Sequence, residues 1–183
     1  IADNARVLLF VGRIMPKKRL EDILAAFARL RVDSPDLILA IAGNVTQDLA
    51  YHARLIALTR DLGCANELRW LGFLDEQAKP AAFASAQCFV HASESEGMAL
   101  AILEAMSAGL PVVAAKGCYM REAAAAGALL ECAQGAEALA VAIRRILDDA
   151  SLAATLGKNA RVHAAQEHDW DRIAARTLEI YSK

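Results

Sequence analysis

Short apolar runs alternate with helical segments along the whole chain. The runs are too short for helices, and the segments between them repeat apolar residues at spacings of three and four. In chain order the predicted strands are Arg6–Val11, Leu37–Ala42, Leu68–Leu71, Cys88–Val90, Pro111–Ala114 and Leu129–Leu130. Strands that alternate with helices predict a parallel sheet with helices on both faces, because each right-handed crossover lays its helix on one face. We therefore expect an α/β, three-layer α/β/α Rossmann-like domain with a six-stranded parallel sheet.

Helical periodicity and helix-start signals give the complementary set of elements. The Ala-rich segment 123–128 is expected to end a short helix rather than to be disordered. Asp75 is a predicted N-cap, since its carboxylate can accept from the first free N–H groups of the following helix. The predicted helices are Leu20–Leu30, Asp48–Leu62, Asp75–Ser85, Ala99–Ser107, Ala136–Asp149, Ser151–Ala165 and Trp170–Tyr181.

Size and charge limit the class of protein. A chain of 183 residues is one domain or one large half of a two-domain enzyme. It can bury about 70% of its unfolded surface, so no disulfide or metal is needed to hold it. A net charge of −2 argues against nucleic acid as a partner. The cysteines have no metal-ligand spacing and are expected to be small buried residues in a reducing compartment: Cys64, Cys88, Cys118 and Cys132.

The ends and the apolar runs bear on localisation. No run approaches the length of a membrane span, and no signal peptide is visible. The chain opens with Ile1 and goes almost directly into a strand, which suggests a fragment of a longer protein. We therefore expect a cytoplasmic location.

Residues 93–114 combine two carboxylates with a predicted helix start. Glu96 lies in a loop just before the helix, and Glu104 lies about one turn inside it. The helix start between them presents unpaired backbone N–H groups and a partial positive charge, which suit an anion such as phosphate. For two isolated carboxylates, a solvated loop residue and a surface helix position would be the simpler interpretation.

A basic turn follows the first predicted strand. Gly12 and Arg13 come directly after it, and the run Lys17-Lys18-Arg19 precedes the first helix. Ligands bind at the carboxyl ends of parallel strands, so Arg13 is well placed to meet an anion. The alternative for the three-residue basic run is a solvated turn. The GxGxxG fingerprint of dinucleotide-binding folds is absent, since only Gly12 is present.

The run SxxEG…LEAMSxGxPVV resembles the donor-binding signature of the group 1 (family 4) retaining glycosyltransferases, whose fold is called GT-B. The resemblance covers essentially the whole chain and matches the C-terminal half of a GT-B enzyme. It implies that Glu96 contacts the donor sugar and Glu104 the ribose hydroxyls. It further implies that the backbone between them holds the diphosphate, at Gly97, Met98, Ala99 and Leu100.

A second part of the signature lies near the start of the chain. Val11-Gly12-Arg13 followed by Lys18 matches the family in identity and spacing, which implies that Arg13 and Lys18 contact the donor diphosphate. The loop after the third strand lines the nucleotide base in similar enzymes, and Leu74 would make its backbone contact there. Phe73 and Leu74 as plain core residues are the alternative.

This chain departs from the family pattern at three loops. Arg19 stands where the family usually has glycine, so the shape of the basic turn is open. Gly43-Asn44 keeps only the first glycine of a GxGP-type turn. Residues 116–122 keep one glycine of a GG pair, and Glu122 comes one position late.

His91 closes the fourth predicted strand. It can face the donor crevice, although a hydrogen-bonded wall residue is the favoured interpretation. The other histidines have no partners at metal-ligand spacing, so no metal site is predicted.

The resemblance implies a retaining glycosyltransferase that moves a sugar from a nucleotide diphosphate sugar to an acceptor hydroxyl, with no cofactor. Arg13, Lys18 and Glu96 would be the catalytic residues. The partners would be a uridine, guanosine or adenosine diphosphate sugar, a carbohydrate or lipid-linked acceptor, and the missing N-terminal domain. The helix 170–181 would cross to that domain, and this chain alone would be inactive. Polysaccharide biosynthesis and peripheral association with the inner face of the membrane are expectations for the full enzyme.

Three alternatives remain at this point. A glycoside hydrolase would need Glu96 and Glu104 across a sugar ring, but they lie along one helix and the loop before it. A GT-B-type epimerase or phosphorylase is a second alternative, although no lysine is assignable to a pyridoxal phosphate. A non-catalytic nucleotide-binding module is the third.

Overall fold

The computed structural model describes residues 5–182. Its sheet has six strands in the order β3-β2-β1-β4-β5-β6, and every neighbouring pair is parallel. The predicted fold class is therefore confirmed. The strands are β1 Arg6–Val11, β2 Leu37–Ala42, β3 Leu68–Gly72, β4 Cys88–His91, β5 Val112–Ala115 and β6 Leu130–Cys132.

Helices connect successive strands and close the chain. Short 3-10 turns follow β1, β2 and β5, and one precedes β3: Pro16–Lys18, Val45–Gln47, Lys116–Cys118 and Ala65–Glu67. The helices are α1 Leu20–Arg31, α2 Leu49–Asp61, α3 Ala78–Ala84, α4 Leu100–Ser107, α5 Arg121–Ala125, α6 Ala136–Asp148, α7 Ala150–Glu167 and α8 Trp170–Tyr181.

The strands divide the apolar side chains between two cores. Because side chains alternate across a strand, Leu8 of β1 joins the core under α1, α2 and α6, whereas Leu9 joins the core under α3, α4 and α7. Phe27 of α1 is fully buried in the first core, and Met106 of α4 is fully buried in the second. The sheet and the helices packed on each of its two faces are the three layers of the fold.

One predicted helix start is wrong by three residues. α3 begins at Ala78 rather than at Asp75. Asp75 still caps it, because its Oδ1 accepts from the N–H groups of Gln77 and Ala78 at 3.0 and 2.8 Å. The residues between Asp75 and α3 form a turn instead of a helical first turn.

The strand order places a crevice between β1 and β4. Chain growth runs outward from β1 through β2 to β3, then returns to the other side of β1 with β4. In open parallel sheets, ligands bind at this reversal, beyond the carboxyl ends of the two strands. The loops that follow β1 and β4 carry the basic turn and residues 92–99.

α8 contrasts with the other long helices. It packs against α7 but has no buried side chain, and Trp170 and Tyr181 are 78% and 86% exposed. That it crosses to another domain remains a prediction. Among residues 5–182, no helix is both long and apolar enough to span a membrane.

The cysteines are free thiols in the structure. Cys64, Cys88 and Cys118 are buried as predicted, and Cys132 is half-buried. Burial raises the pKa of the Cys88 thiol to about 12. These thiols therefore pack as small apolar groups rather than as reactive sites.

Candidate functional site

Three side chains meet at the carboxyl ends of β1 and β4, and we call Lys18, His91 and Glu96 the buried charge cluster. Lys18 donates from Nζ to Oε1 of Glu96, and Nε2 of His91 lies 3.1 Å from the same oxygen. The side chains of Lys18 and Glu96 are only 10% and 11% exposed, and that of His91 is 2% exposed. Both solvated alternatives, for Lys18 and for Glu96, are therefore wrong.

The charges of the cluster follow from burial and hydrogen bonding. Burial alone would raise the pKa of Glu96, but the hydrogen bonds from His91 and Lys18 outweigh it and hold that pKa well below its ordinary range. Burial lowers the pKa of His91, and the nearby Lys18 charge acts in the same direction. At neutral pH Glu96 is thus a carboxylate and His91 a neutral imidazole.

The basic turn positions Lys18 through its backbone. The carbonyl of Lys17 accepts from the backbone N–H of Glu94 at 3.0 Å and from the hydroxyl of Ser93 at 3.1 Å, which joins the turn to the loop after β4. Arg19 then adopts a left-handed conformation with φ of 52°. The turn therefore keeps, with an arginine, the backbone shape for which glycine is best suited.

Gly117 positions Glu96 from the neighbouring loop. Its carbonyl accepts the backbone N–H of Glu96 at 3.1 Å. A Cβ on Gly117 would lie 2.3 Å from the carbonyl oxygen of Ser93 and 2.4 Å from that of Glu94, so only glycine allows this close approach. The sequence predicts a changed loop at 116–122 but no role for Gly117. The available signal was a glycine in the loop that follows a buried strand.

A cavity of about 300 Å³ lies at the same edge of the sheet, at the ends of β1, β2 and β3. Arg13 is exposed there and makes no ion pair within residues 5–182. Gly43 packs so closely on the Gly12 carbonyl that a Cβ would lie 2.0 Å from that oxygen, which explains why this loop keeps its first glycine. The lining residues are Val11, Gly12, Arg13, Ala42, Gly43, Asn44, Gln47, Phe73, Leu74, Lys79, Leu100, Ala101 and Glu104.

The aromatic rim of the cavity differs from one sequence expectation. Phe73 is 77% exposed, so its interpretation as a core residue is wrong. Leu74 is half-buried and packs against the core under α4 while it lines the cavity. The loop after β3 thus presents an exposed ring to solvent, directly after Gly72, which has a φ of 68°.

Glu104 lies on the cavity side of α4 and has a basic partner. Nζ of Lys79, from α3, donates to Oε1 of Glu104 at 2.9 Å. The side chains of this pair are 29% and 41% exposed. Sequence reasoning did not single out Lys79, because a lysine on a short helix carries no motif.

The start of α4 is partly free to bind an anion. The backbone N–H groups of Gly97, Met98 and Ala99 have no acceptor among residues 5–182. The N–H of Leu100 differs from the prediction, since it donates to the Met98 carbonyl at 3.1 Å across a tight turn at Ala99. α4 accordingly starts at Leu100, one residue later than predicted.

The structure thus brings the predicted site residues to one edge of the sheet in two groups. Lys18 and Glu96 belong to the buried charge cluster, whereas Gly12, Arg13, Leu74, Leu100 and Glu104 line the cavity. Gly97, Met98 and Ala99 connect the two groups along the chain. His91 is a hydrogen-bonded wall residue, as the favoured interpretation had it, and its partner is Glu96.

Fold and site together define a Rossmann-like α/β domain with a basic turn and an amide-rich helix start at the reversal of strand order. Residues 1–163 match the family model described as "Glycosyl transferases group 1". The chain belongs to this family. The resemblance drawn from residues 93–114 is therefore confirmed.

Individual relatives agree with the family. The chain is 34% identical to D-inositol 3-phosphate glycosyltransferase 2 of Catenulispora acidiphila, a match that covers 98% of this chain and 44% of the relative. It is 34% identical to glycogen synthase of Mycobacterium tuberculosis, with 95% and 42% covered. The chain therefore spans less than half the length of these relatives.

A solved structure shows the same fold with a ligand. The Anabaena protein Alr3699/HepE in complex with UDP-glucose superimposes with a TM-score of 0.88 at 27% identity. The match covers 98% of this chain and 49% of that one.

Proposed function

We propose that this chain is the donor-binding half of a retaining glycosyltransferase, which transfers a sugar from a nucleotide diphosphate sugar to an acceptor hydroxyl. The observation that carries the proposal is the placement of Arg13, Lys18 and the open N–H groups just before α4 on loops at one edge of the sheet, next to the reversal of strand order. Cationic side chains and a helix start at one crevice suit a diphosphate. The family match favours transfer over hydrolysis and over the other GT-B-type reactions.

The cationic groups would stabilise the leaving group. When the glycosidic bond to the nucleotide breaks, negative charge builds on the β-phosphate. Arg13, Lys18 and the N–H groups around Met98 would lie against that charge, which is preorganised electrostatic stabilisation. In this role the side chains take the place of a metal ion.

The two glutamates would orient the rest of the donor. Glu96, in the buried charge cluster, would accept hydrogen bonds from sugar hydroxyls and expose the anomeric carbon to the acceptor. Glu104, on the cavity wall, would accept from the ribose diol. The exposed ring of Phe73 and the backbone of Leu74 would flank the base.

The remaining partners extend the proposal to the longer protein. The acceptor would be a carbohydrate or a lipid-linked hydroxyl bound mainly by an N-terminal domain. The exposed face of α8 would pack against that domain. A place in polysaccharide biosynthesis, in the cytoplasm and at the inner face of the membrane, belongs to the same proposal.

A binding screen tests the donor assignment. The chain is titrated with UDP-glucose, GDP-mannose and ADP-glucose, and its thermal midpoint is followed without added metal. One nucleotide class should raise the midpoint, since a ligand held 100-fold above its dissociation constant stabilises the folded state by about 2.7 kcal/mol. UDP-glucose is the first choice because Alr3699/HepE is solved with it.

Calorimetry with the same ligands gives the affinity, and joining the chain to an acceptor half tests transfer. If none of the three nucleotide sugars shifts the midpoint or releases heat on binding, the donor-site assignment is wrong. Binding without transfer in the joined protein would favour a non-catalytic nucleotide-binding module instead.

A further inference from the structure

His91 is one of three residues that hold Glu96 in place, together with Lys18 and Gly117. Resting on the proposed function, we infer that His91 is a positioning residue: a neutral imidazole whose Nε2–H fixes the Glu96 carboxylate for the donor sugar while Lys18 turns to the phosphate.

The ring of His91 has a fixed orientation. It stacks on Phe10 with ring centres 5.3 Å apart and on Phe89 with ring centres 6.0 Å apart, at an interplanar angle of 13° in both cases. His91 is the last residue of β4 and is 1% exposed. The two aromatic rings therefore set the plane of the imidazole, and the contact with Glu96 sets which of its edges faces the carboxylate.

The two ring nitrogens have different surroundings. Nε2 faces Oε1 of Glu96, whereas Nδ1 is buried without a hydrogen-bond partner among residues 5–182. An ionised carboxylate can only accept, so the nitrogen beside Glu96 must carry the proton. A neutral imidazole has one proton, which leaves Nδ1 as the bare acceptor.

Lys18 and His91 hold Glu96 through one oxygen. Both donate to Oε1, while the nearby Ser93 hydroxyl, which also helps to lower the pKa of Glu96, donates to the Lys17 carbonyl at 3.1 Å. Oε2, to which neither Lys18 nor His91 donates, is left for a ligand hydroxyl. If Lys18 turns toward a phosphate, the hydrogen bond from His91 still fixes the carboxylate of Glu96. The diphosphate can then bind Lys18 without disturbing the carboxylate that binds the sugar.

Neutrality suits this role. A protonated imidazole would add a second positive charge beside Lys18 and would draw the carboxylate into a stronger pair. The neutral N–H fixes the direction of Glu96 and leaves its charge for the sugar hydroxyls. Burial between apolar rings keeps the imidazole in that form.

Two substitutions separate the hydrogen bond from the packing. His91→Phe keeps a ring between Phe10 and Phe89 but removes the N–H. His91→Gln places an amide N–H at about the reach of Nε2. His52→Phe is the matched control, because His52 is a histidine on α2 that does not belong to the buried charge cluster. Its ring packs edge-on against that of Trp70, with ring centres 4.6 Å apart.

Affinities for UDP-glucose and for UDP are measured by calorimetry on the full 183-residue chain. His91→Phe should lower the affinity for UDP-glucose about tenfold, as expected for a lost hydrogen bond to a charged group. It should change the affinity for UDP by no more than about twofold. His91→Gln should recover most of the loss, and His52→Phe should change neither affinity.

The tautomer is measured independently by long-range ¹H–¹⁵N spectra of the wild-type chain. The Nε2–H form is expected. An Nδ1–H form, or equal losses for UDP and UDP-glucose in His91→Phe, would overturn the inference while the donor assignment stands. Wild-type protein that binds none of the nucleotide sugars would overturn both.

Discussion

Two lysine–glutamate pairs lie at the same edge of the sheet and differ in almost everything but chemistry. The Lys18–Glu96 pair is buried, with both side chains near one-tenth exposed, and has His91 as a third member. The Lys79–Glu104 pair joins α3 to α4 across the cavity wall, with side chains 29% and 41% exposed. The first pair is held by several loops and the second by two helices.

The difference shows that the two glutamates of one motif are suited to different roles. The carboxylate proposed to touch the reacting sugar is fixed by Lys18, His91 and Gly117, since small displacements there cost rate steeply. The carboxylate proposed to hold the ribose is on the surface and can open to admit the nucleotide. An exposed pair contributes little to stability, whereas a buried pair loses much when one partner is removed.

The largest expected effect is from Glu96→Ala. The substitution leaves the Lys18 ammonium buried without its partner, and we expect a loss of about 3 kcal/mol in the free energy of unfolding, the low end for a broken buried pair. Chemical denaturation measures it, with Glu104→Ala as the exposed control. In the complete enzyme, Glu96→Ala should lower turnover far more than nucleotide affinity. Equal stability losses in the two variants would erase the distinction between the pairs.

Acid should weaken the buried charge cluster selectively. Because the folded-state pKa values of Glu96 and His91 are lowered, each contributes stability that is complete above its unfolded-state pKa and is lost as the pH falls. The loss should begin below about pH 6.5 for His91 and below about pH 4.3 for Glu96. The stability gap between wild type and Glu96→Gln, followed by denaturation from pH 7 to pH 3, should narrow below about pH 4.3, because His91 is present in both proteins and only the wild type loses the Glu96 contribution. A gap independent of pH would contradict this.

Gly117→Ala tests the loop that supports Glu96. A Cβ would lie 2.3 Å from a carbonyl oxygen, so we expect a loss of about 1–3 kcal/mol and a weaker hold on Glu96. Gly97→Ala is the matched control in the same region, since a Cβ there meets nothing within 4 Å. Thermal midpoints compare the two variants. A Gly117→Ala protein as stable as the Gly97→Ala control would show that the close approach at Gly117 does not support Glu96.

Arg13→Ala and Lys18→Ala should each weaken binding of the nucleotide sugar about tenfold or more, because each removes a charge-assisted hydrogen bond. They should differ in stability: Arg13 is exposed and unpaired within residues 5–182, whereas removal of Lys18 leaves Glu96 buried. Calorimetry and denaturation on both variants separate the two effects. Unchanged affinity in both would reject their assignment to the diphosphate.

Lys79→Ala should have the smallest effect. It breaks an exposed pair, so the stability loss should lie between zero and about 1 kcal/mol and should shrink further in high salt. Denaturation at low and high salt measures it. A loss as large as that of Glu96→Ala would show that the two pairs are energetically alike.

The sequence predicted much of the local structure. The bounds of β1, β2 and α8 agree with the structure at both ends, because apolar periodicity reports which segments are buried strands and helices. The cap at Asp75 was predicted for the same local reason, although α3 begins later than predicted. The motif in residues 93–114 also sufficed for the family.

The sequence did not predict the contacts across loops. The positive φ of Arg19, the exposure of Phe73 and the role of Gly117 each depend on neighbours from other loops. His91 could be placed at a strand end, but its partner could not be named. Such contacts leave no periodic signal in the chain.

The sequence by itself determined the elements, the parallel class of the sheet and the family, because burial and motif are properties of short segments. Only the tertiary structure decided that Lys18, 78 residues before Glu96, donates to the same oxygen of Glu96 as His91 does. It also decided that Glu104 pairs with Lys79. The contact between Lys18 and Glu96 depends on the order of strands, which sets β4 beside β1 and so brings their two loops together. Strand order is a property of the whole chain, and no local pattern encodes it.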